Sequence, residues 1–365
     1  MKVLSITFGI PDKEDAMCIR ILNVAKILRS NNYNVKFVHY STSTNGLSDT
    51  DKNICKTSIF LLPFNVLKTL LKGDYDLIYG NSQAGTVCAI LSKFLLSKKL
   101  VFDMHGDTSE EYLILTNSKS RFSFEFLFKR LINFLCLTFS DKIVCVSNSM
   151  INYLVSKKGI KREKLMYLPN VVNLDDFNIK NNNLVEMKKK ELKVENKIIF
   201  GYLGGMQKWQ GVDNFIKASS LINNGNVLLL VIGGIKYVRK KNLLIIPKVP
   251  RSEIAIYYAI CDVLVLPRPY NNATEIAAPT KFAEYTAIGK PILLTDVGDA
   301  SLLVKKFKNG IIIPNNYPDS ISKGILNFVS MDDNARIQMG INSRKLSEEV
   351  FNINEMKIDF NFTGD

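Results

Sequence analysis

Short apolar runs of strand length alternate with helix-length segments twice along this 365-residue chain, and one polar interruption separates the two series. The first series contains "KVLSITF", "NVKFVHY", "DLIYG", "KLVFDMH" and "KIVCVS", with helical periodicity over 16–30 ("AMCIRILNVAKILRS") and between the later runs. Runs such as "KIVCVS" are apolar on both sides, which suits strands buried on both faces of a parallel sheet. The interruption, 173–195 ("NLDDFNIKNNNLVEMKKKELKVE"), is rich in Asn and Lys and reads as an interdomain connection followed by a surface helix. The rhythm then restarts with "KIIFGYLGG", a helix over 212–222, "VLLLVIGG", "NLLIIP", a helix from Ser252, "DVLVLP", a helix inside "APTKFAEYTAIGKP", "PILLTD" and "NGIIIP". The expected fold class is α/β, with two doubly wound Rossmann-like domains facing a cleft. A helix over 332–351 is expected to cross back. The predicted domains are 1–174, with 340–365 packing back onto it, and 175–339.

Composition narrows the partners. A net charge of +14 favours anionic ones, meaning phosphates, nucleic acid or an acidic membrane surface. No basic cluster interleaves with aromatic residues and no nucleic-acid motif occurs, so nucleic acid is set aside. The six cysteines (Cys18, Cys55, Cys88, Cys136, Cys145, Cys261) lie scattered, without a CxxC pair. They read as reduced core residues of a cytoplasmic protein, and no metal site is expected. Acidic residues soon interrupt the first apolar run, which suits a strand better than a signal peptide, and no run approaches a membrane span. No sequence feature sets an oligomeric state.

In open parallel sheets, ligands sit beyond the carboxyl ends of the strands, so the loops there carry the information. The loop "FGIPDKEDAMC" after the first strand has a single glycine, Gly9, and no G-x-G-x-x-G. The second strand ends without an acid to hold a ribose. These two facts exclude a dinucleotide site of the usual kind, and no P-loop motif occurs. In "FGYLGGMQKWQGVDNF", Gly204 and Gly205 permit close backbone approach and Gly211 precedes a helix. A phosphate loop and a plain tight turn both account for this. Trp209 either faces the cleft or caps a core edge.

"APTKFAEYTAIGKP" is more specific. Pro279 suits a first helical turn and Gly289 a stop. The free N–H groups near Thr280 and Lys281, with the helix dipole, favour an anion. Glu284 follows one turn deeper on the same face, a rise of about 6 Å. That matches the step from a diphosphate to its ribose hydroxyls, so a nucleoside diphosphate fits over the helix start. The alternative is an exposed Lys281–Glu284 pair worth a few tenths of a kcal/mol, on the order of 0.3.

These residues also resemble a family. "PTKFAEYTAIGKPILLTDVGDAS", "PNVVNLDDF", "YLGGMQKWQGVDNFIKA" and "VPRSEIAIYYAICDVLVLPRP" are similar, in order, to blocks of the family-4 retaining glycosyltransferases of the GT-B fold. "VFDMHGDTSEE" resembles the histidine segment of that family's N-terminal domain, and "GIPDKEDAMCIRILNVAKIL" its first loop and helix. The resemblance implies transfer of a sugar from a nucleotide-diphosphate sugar to a glycan or lipid-linked acceptor. It implies retention of configuration, with no metal and no cofactor besides the donor. The donor would bind the C-terminal domain and the acceptor the N-terminal one. Glu284 would then take the ribose, Thr280 and Lys281 the diphosphate, and Gly204 and Gly205 would lie beneath it. His105 would lie near the reacting sugar, backbone around 248–250 (centred on Val249) would read the base, and Gly9 and Asp107 would face the acceptor.

Three departures stand out. The family's first glutamate position holds Ile276, with Glu275 one residue away, so either a bulge presents Glu275 or the function is replaced. The family's Arg and Lys after the first strand of the C-terminal domain align with Gly205 and Gln210, leaving Lys208 and Arg268 as candidates to supply charge. "GGIK" replaces the usual "GDG" turn, and the helix expected after it is almost absent. A sugar-nucleotide epimerase of the same architecture and a non-catalytic nucleotide-sugar-binding GT-B protein are the alternatives.

Several further candidates carry a functional and a structural reading. His105 either contacts the sugar or is structural, and His39 reads as structural. Asp103 either orients His105 or ends its strand. Asp107, Glu110 and Glu111 either bind acceptor hydroxyls or form a solvated acidic loop. The aromatic segment 120–142 ("SRFSFEFLFKRLINFLCLTFSDK"), with Arg121, Lys129 and Arg130, is either a peripheral contact with an anionic inner membrane face or a buried helix.

Overall fold

A computed structural model describes residues 1–8, 16–40, 61–116, 120–179, 182–360 and 362. The chain forms two compact α/β units, Met1–Pro169 with Asn354–Asp365, and Asn170–Ile353.

The first unit holds β1 (Lys2–Phe8), β2 (Asn34–Tyr40), β3 (Leu77–Asn81), β4 (Lys99–Met104), β5 (Lys142–Cys145) and β6 (Leu165–Tyr167). All neighbours are parallel, in the order β2-β1-β3-β4-β5-β6. The helix Ala16–Ser30 falls where the periodicity placed it. At three residues, β6 is too short to show a period of two and was not legible in the sequence.

The second unit holds β7 (Ile198–Leu203), β8 (Val227–Gly234), β9 (Val238–Lys240), β10 (Leu243–Pro247), β11 (Val263–Leu266), β12 (Ile292–Thr295) and β13 (Gly310–Ile313), in the order β13-β12-β11-β7-β8-β10-β9. Only β9 is antiparallel, folding back on β10. This hairpin fills the place where the helix after "GGIK" was missing.

The period of two divides the strands between two cores. Ile199 and Leu203 of β7 enter one while Phe200 and Tyr202 enter the other, and Leu228, Leu230 and Ile232 of β8 oppose Val227, Leu229 and Val231. Each such side chain contributes roughly 1.5–3 kcal/mol by leaving water.

The boundary differs from the expected one. Asn170–Phe177 belongs to the second unit because Val172 bridges to Asn352 and both Val172 and Phe177 are buried in that unit's core. Residues 340–353 stay there too. The helix Asp333–Leu346 and the π-helical turn Ser347–Phe351 send Leu346 and Phe351 into the same core, and Arg344 Nη1 donates to Ala287 O. Only the tail from Asn354 returns to the first unit. Asn31 Nδ2 donates to Met356 O, and the Phe360 ring meets those of Tyr33 and Tyr79.

Candidate functional site

In the second sheet the chain leaves β7 through β8 to one edge, then jumps back beside β7 at β11 and proceeds to the other edge. The strand order therefore reverses between β7 and β11, and the crevice beyond their carboxyl ends is the natural ligand position. The turn after β7 and the loop after β11 flank it. They are locked together at Gly211, whose φ of 71° is accessible to glycine and where a Cβ would collide with Pro267 O.

Lys281 lies across the turn after β7. Gly204 has φ 137°, and a Cβ there would occupy the space of Lys281 Cε. Lys281 Nζ sits 5.1 Å from the centroid of Tyr202, whose hydroxyl donates to Gly205 O at 2.6 Å and so fixes the second glycine. Burial pushes Lys281 down to about 8; the Glu284 charge opposes this, and the Arg268 charge adds to it. Arg268 is buried just beyond β11 and donates from Nη1 to Thr274 O and Ala277 O, which shapes that loop. Thr280 is the first residue of the helix Thr280–Ala287, with Pro279 as its N-cap, one position earlier in the helix than expected.

Glu284 is buried, which removes the reading of an exposed Lys281–Glu284 pair. Its Oε1 accepts from Arg251 Nη2 at 2.5 Å and its Oε2 from Tyr258 Oη at 2.6 Å. Each oxygen keeps one further acceptor position. Arg251 follows Val249 and Pro250 directly and lies 6.0 Å from the Phe177 ring, which stacks on Tyr258. Sequence reasoning missed Arg251, although it lies in the quoted block "VPRSEI". Val249 is half-buried against the core.

Two expectations for this unit change. No bulge presents Glu275. Residues Asn272–Ile276 form a short helix closed by a capping box from Asn271, Ile276 is buried, and Glu275 Oε2 accepts from Gly298 N at 2.9 Å, capping the helix Gly298–Phe307. Lys208 is exposed in the turn Lys208–Gln210, while Trp209 is half-buried.

In the first unit, His105 follows β4 with Nε2 3.3 Å from Asp103 Oδ2. Asp103 is fully buried. Burial alone would raise its pKa, but Arg20 and then His105 outweigh it and hold the carboxylate well below the usual range. Arg20 Nη2 reaches Asp103 Oδ1 at 2.7 Å, and its Nη1 donates to Leu168 O and Pro169 O. Asp103 thus lies against His105 and anchors Arg20, a buried cation that the sequence reading did not single out.

The Asp107 carboxylate, expected to face the acceptor, lies inside the fold. It caps the helix Thr108–Leu115 and is fully buried. It accepts from Ser109 N, Asn133 Nδ2 and Tyr153 Oη and pairs with Lys158 Nζ at 3.2 Å, which leaves no carboxylate edge for a ligand. Glu110 is buried too and accepts from Arg121 Nη2. Gly9 lies outside the described residues, and His39 lies within β2.

Among the described residues, no three His, Cys, Asp or Glu side chains gather at metal-holding distance, and no helix is long and apolar enough to cross a membrane.

Comparison with known proteins follows the same division of the chain. Residues 20–176 match Glycosyltransferase Family 4, and residues 185–346 match Glycosyl transferases group 1. An uncharacterized glycosyltransferase of Methanocaldococcus jannaschii is 23% identical over 327 residues, 82% of this chain and 76% of that protein. A second from the same organism is 26% identical over 310 residues, 80% and 76%. The structure of Anabaena HepE in complex with UDP and glucose superposes with a TM-score of 0.76 at 17% identity, covering 97% of this chain and 96% of that one.

Proposed function

The chain belongs to the family-4-like glycosyltransferases of the GT-B fold, and on that premise we propose that it moves a sugar from a nucleoside-diphosphate sugar to a glycan or lipid-linked acceptor, with retention and without a metal. The observation that carries this reading is Lys281, laid over the Gly204 turn at the switch point with its charge disfavoured by burial. Such a cation gains most from an anion placed beside it. As the bond from the anomeric carbon to the diphosphate breaks, negative charge grows on the leaving oxygens. Lys281, Arg268 and the start of the helix Thr280–Ala287 stabilise it without having to reorganise. The acceptor hydroxyl attaches to the anomeric carbon on the face the diphosphate leaves, and its proton passes to the leaving diphosphate.

Glu284, held by Arg251 and Tyr258, offers its remaining acceptor positions to the ribose hydroxyls. Backbone at Val249 reads the base. His105, beside Asp103, contacts the transferred sugar. The HepE structure holds UDP and glucose, which makes UDP-glucose the first donor to test. The cytoplasm is the proposed location, in keeping with five buried free thiols among the described residues.

One observation favours a second reading. With Ile276 buried and Glu275 committed to capping, the expected first glutamate is absent from the site, as a non-catalytic nucleotide-sugar-binding protein would allow. Product analysis separates the two. The chain is incubated with nucleotide sugars and candidate acceptors, with and without a chelator, and the anomeric centre is read by NMR. A glycoside of the donor's configuration, formed equally with chelator, supports transfer with retention and no metal. An inverted glycoside, chelator-dependent turnover or a free epimer overturns it, and nucleotide binding without any product favours the second reading.

A further inference from the structure

The amino ends of the second sheet open onto a cavity of about 1020 Å³, at the opposite end of the strands from the crevice described above. Ile198 begins β7, Asp262 precedes β11 and Pro291 precedes β12, and all three line it. A strand such as β7 is about 20 Å long, so the depth of the sheet separates the two places. The helix Asn182–Leu192 contributes Val185 and Lys189 to one side, and the helix Asp333–Leu346 contributes Arg336, Ile337, Ile341 and Arg344 to the other. Ile337 and Ile341, one helical turn apart, are 61% and 56% exposed, so this wall is apolar and uncovered.

Charge selects the occupant. Among the described residues, four cations (Lys189, Lys290, Arg336, Arg344) and two acids (Asp262, Asp333) line the cavity, which is therefore positive. Lys189 pairs with Glu186, Arg336 with Asp333 and Arg344 with Glu348, all at partly exposed positions where an ion pair contributes little and yields readily to a ligand. Lys290 differs. No hydrogen bond or ion pair among the described residues holds its ammonium. Burial pushes its pKa below the ordinary value; Asp262 opposes this and Lys189 adds to it. Asp262 is committed to the backbone, its Oδ2 accepting from Ile199 N at 2.7 Å at the start of β7. Lys290 does not cap the helix Thr280–Ala287 either, because Arg344 Nη1 takes Ala287 O at 2.7 Å. Its own carbonyl accepts from Ser343 Oγ at 2.7 Å, so a fixed backbone presents the ammonium.

A half-buried cation without a partner gains most from an anion, and the apolar wall beside it gains from an apolar body. We propose that this cavity is a second ligand site, which takes a small organic anion with its phosphate or carboxylate at Lys290 and Arg344 and its apolar body on Ile337 and Ile341. Ala287, Ile288 and Gly289 also line the cavity, so the occupant touches the carboxyl end of the helix whose start carries Thr280 and Lys281. The inference uses none of the donor-site residues, so it stands or falls apart from the reading of the reaction.

The test is calorimetric titration of the full chain with naphthyl phosphate, naphthoate, naphthol and inorganic phosphate. One site per chain should take naphthyl phosphate or naphthoate at least about tenfold more tightly than naphthol or inorganic phosphate, and the tighter of the two anions identifies the head group. Lys290→Met should weaken that binding by about tenfold or more, with an unchanged thermal melt, because the ammonium holds nothing in the unliganded fold and the carbonyl that meets Ser343 is kept. Ile337→Ser with Ile341→Ser should weaken it by a similar factor, about tenfold. Lys281→Met should leave it as in the wild type. The proposal is overturned if neither anion binds, if naphthol binds as tightly as the anions, or if the Lys290→Met or the doubly substituted chain binds as the wild type does. It is also overturned if Lys281→Met abolishes binding, which would put the anion in the donor crevice.

Discussion

Raising the pH through the titration of Lys281 should release a bound nucleoside diphosphate, and the size of the effect follows from where this lysine sits. Its ordinary value is 10.5, and in the fold burial lowers it to about 8. The difference corresponds to about 3 kcal/mol held against the ammonium form. A diphosphate laid beside Nζ favours that form again, so the complex keeps a proton that the free protein has lost. Affinity is then level below about pH 8 and falls about tenfold per pH unit above it, until the lysine in the complex titrates too. At about pH 9.5 the loss is roughly 30-fold relative to the plateau at neutral pH. The ligand's own phosphates, with a second pKa of about 6, are fully ionised over that range. Calorimetric titration of UDP, GDP and ADP into the full chain reads the effect. Lys281→Arg should keep affinity without the slope, because a guanidinium stays charged, and Lys281→Met should lose both. Constant wild-type affinity across this range, or the same slope in Lys281→Met, refutes the reasoning. Without ligand the sign reverses. The unfolded chain binds the extra proton between about 8 and 10.5, so this residue makes the fold more stable as pH rises through that window.

Other perturbations have equally definite outcomes. Gly204→Ala places a Cβ on Lys281 Cε at a backbone angle unfavourable to alanine, and should weaken nucleotide binding by about tenfold or more while costing about 1–3 kcal/mol of stability in urea unfolding. Glu284→Ala leaves Arg251 and Tyr258 without their buried partner and should cost about 3 kcal/mol before any ligand is added; a loss below about 1 kcal/mol contradicts the pairing. Asp107→Ala should destabilise the first unit by a similar amount, about 3 kcal/mol, while acceptor KM measured on the folded fraction stays unchanged, as a capping residue requires. Asp103→Asn should cost about 3–5 kcal/mol near neutral pH, and its difference from wild type should shrink in acid, because the carboxylate's contribution is present above its ordinary 3.8 and lost as pH falls towards the much lower folded value.

What could be read from the sequence was local. The period of two that sends Ile199 and Phe200 to different cores is written in adjacent residues, as is the spacing from Thr280 and Lys281 to Glu284 on one helix. Strands of three residues escaped because β6 and β9 are shorter than one reliable period. The partners escaped for a different reason. Arg251 stands 33 positions from Glu284, and Arg20 stands 83 from Asp103, so no local pattern ties them. Asp107 looked like a ligand-facing acid because its loop resembles one, and only Asn133, Tyr153 and Lys158, arriving from later helices, show that its charge is already spent within the fold.

The sequence by itself determined two α/β units, a glycine turn after β7 and a cationic helix start before β12. Periodicity and capping chemistry act between neighbours along the chain, and they need no tertiary context. The tertiary structure decided which charges are available. Burial and contacts between distant residues tie Glu284 to Arg251, divert Glu275 to the cap at Gly298, and leave Lys281 over Gly204 with its proton weakly held.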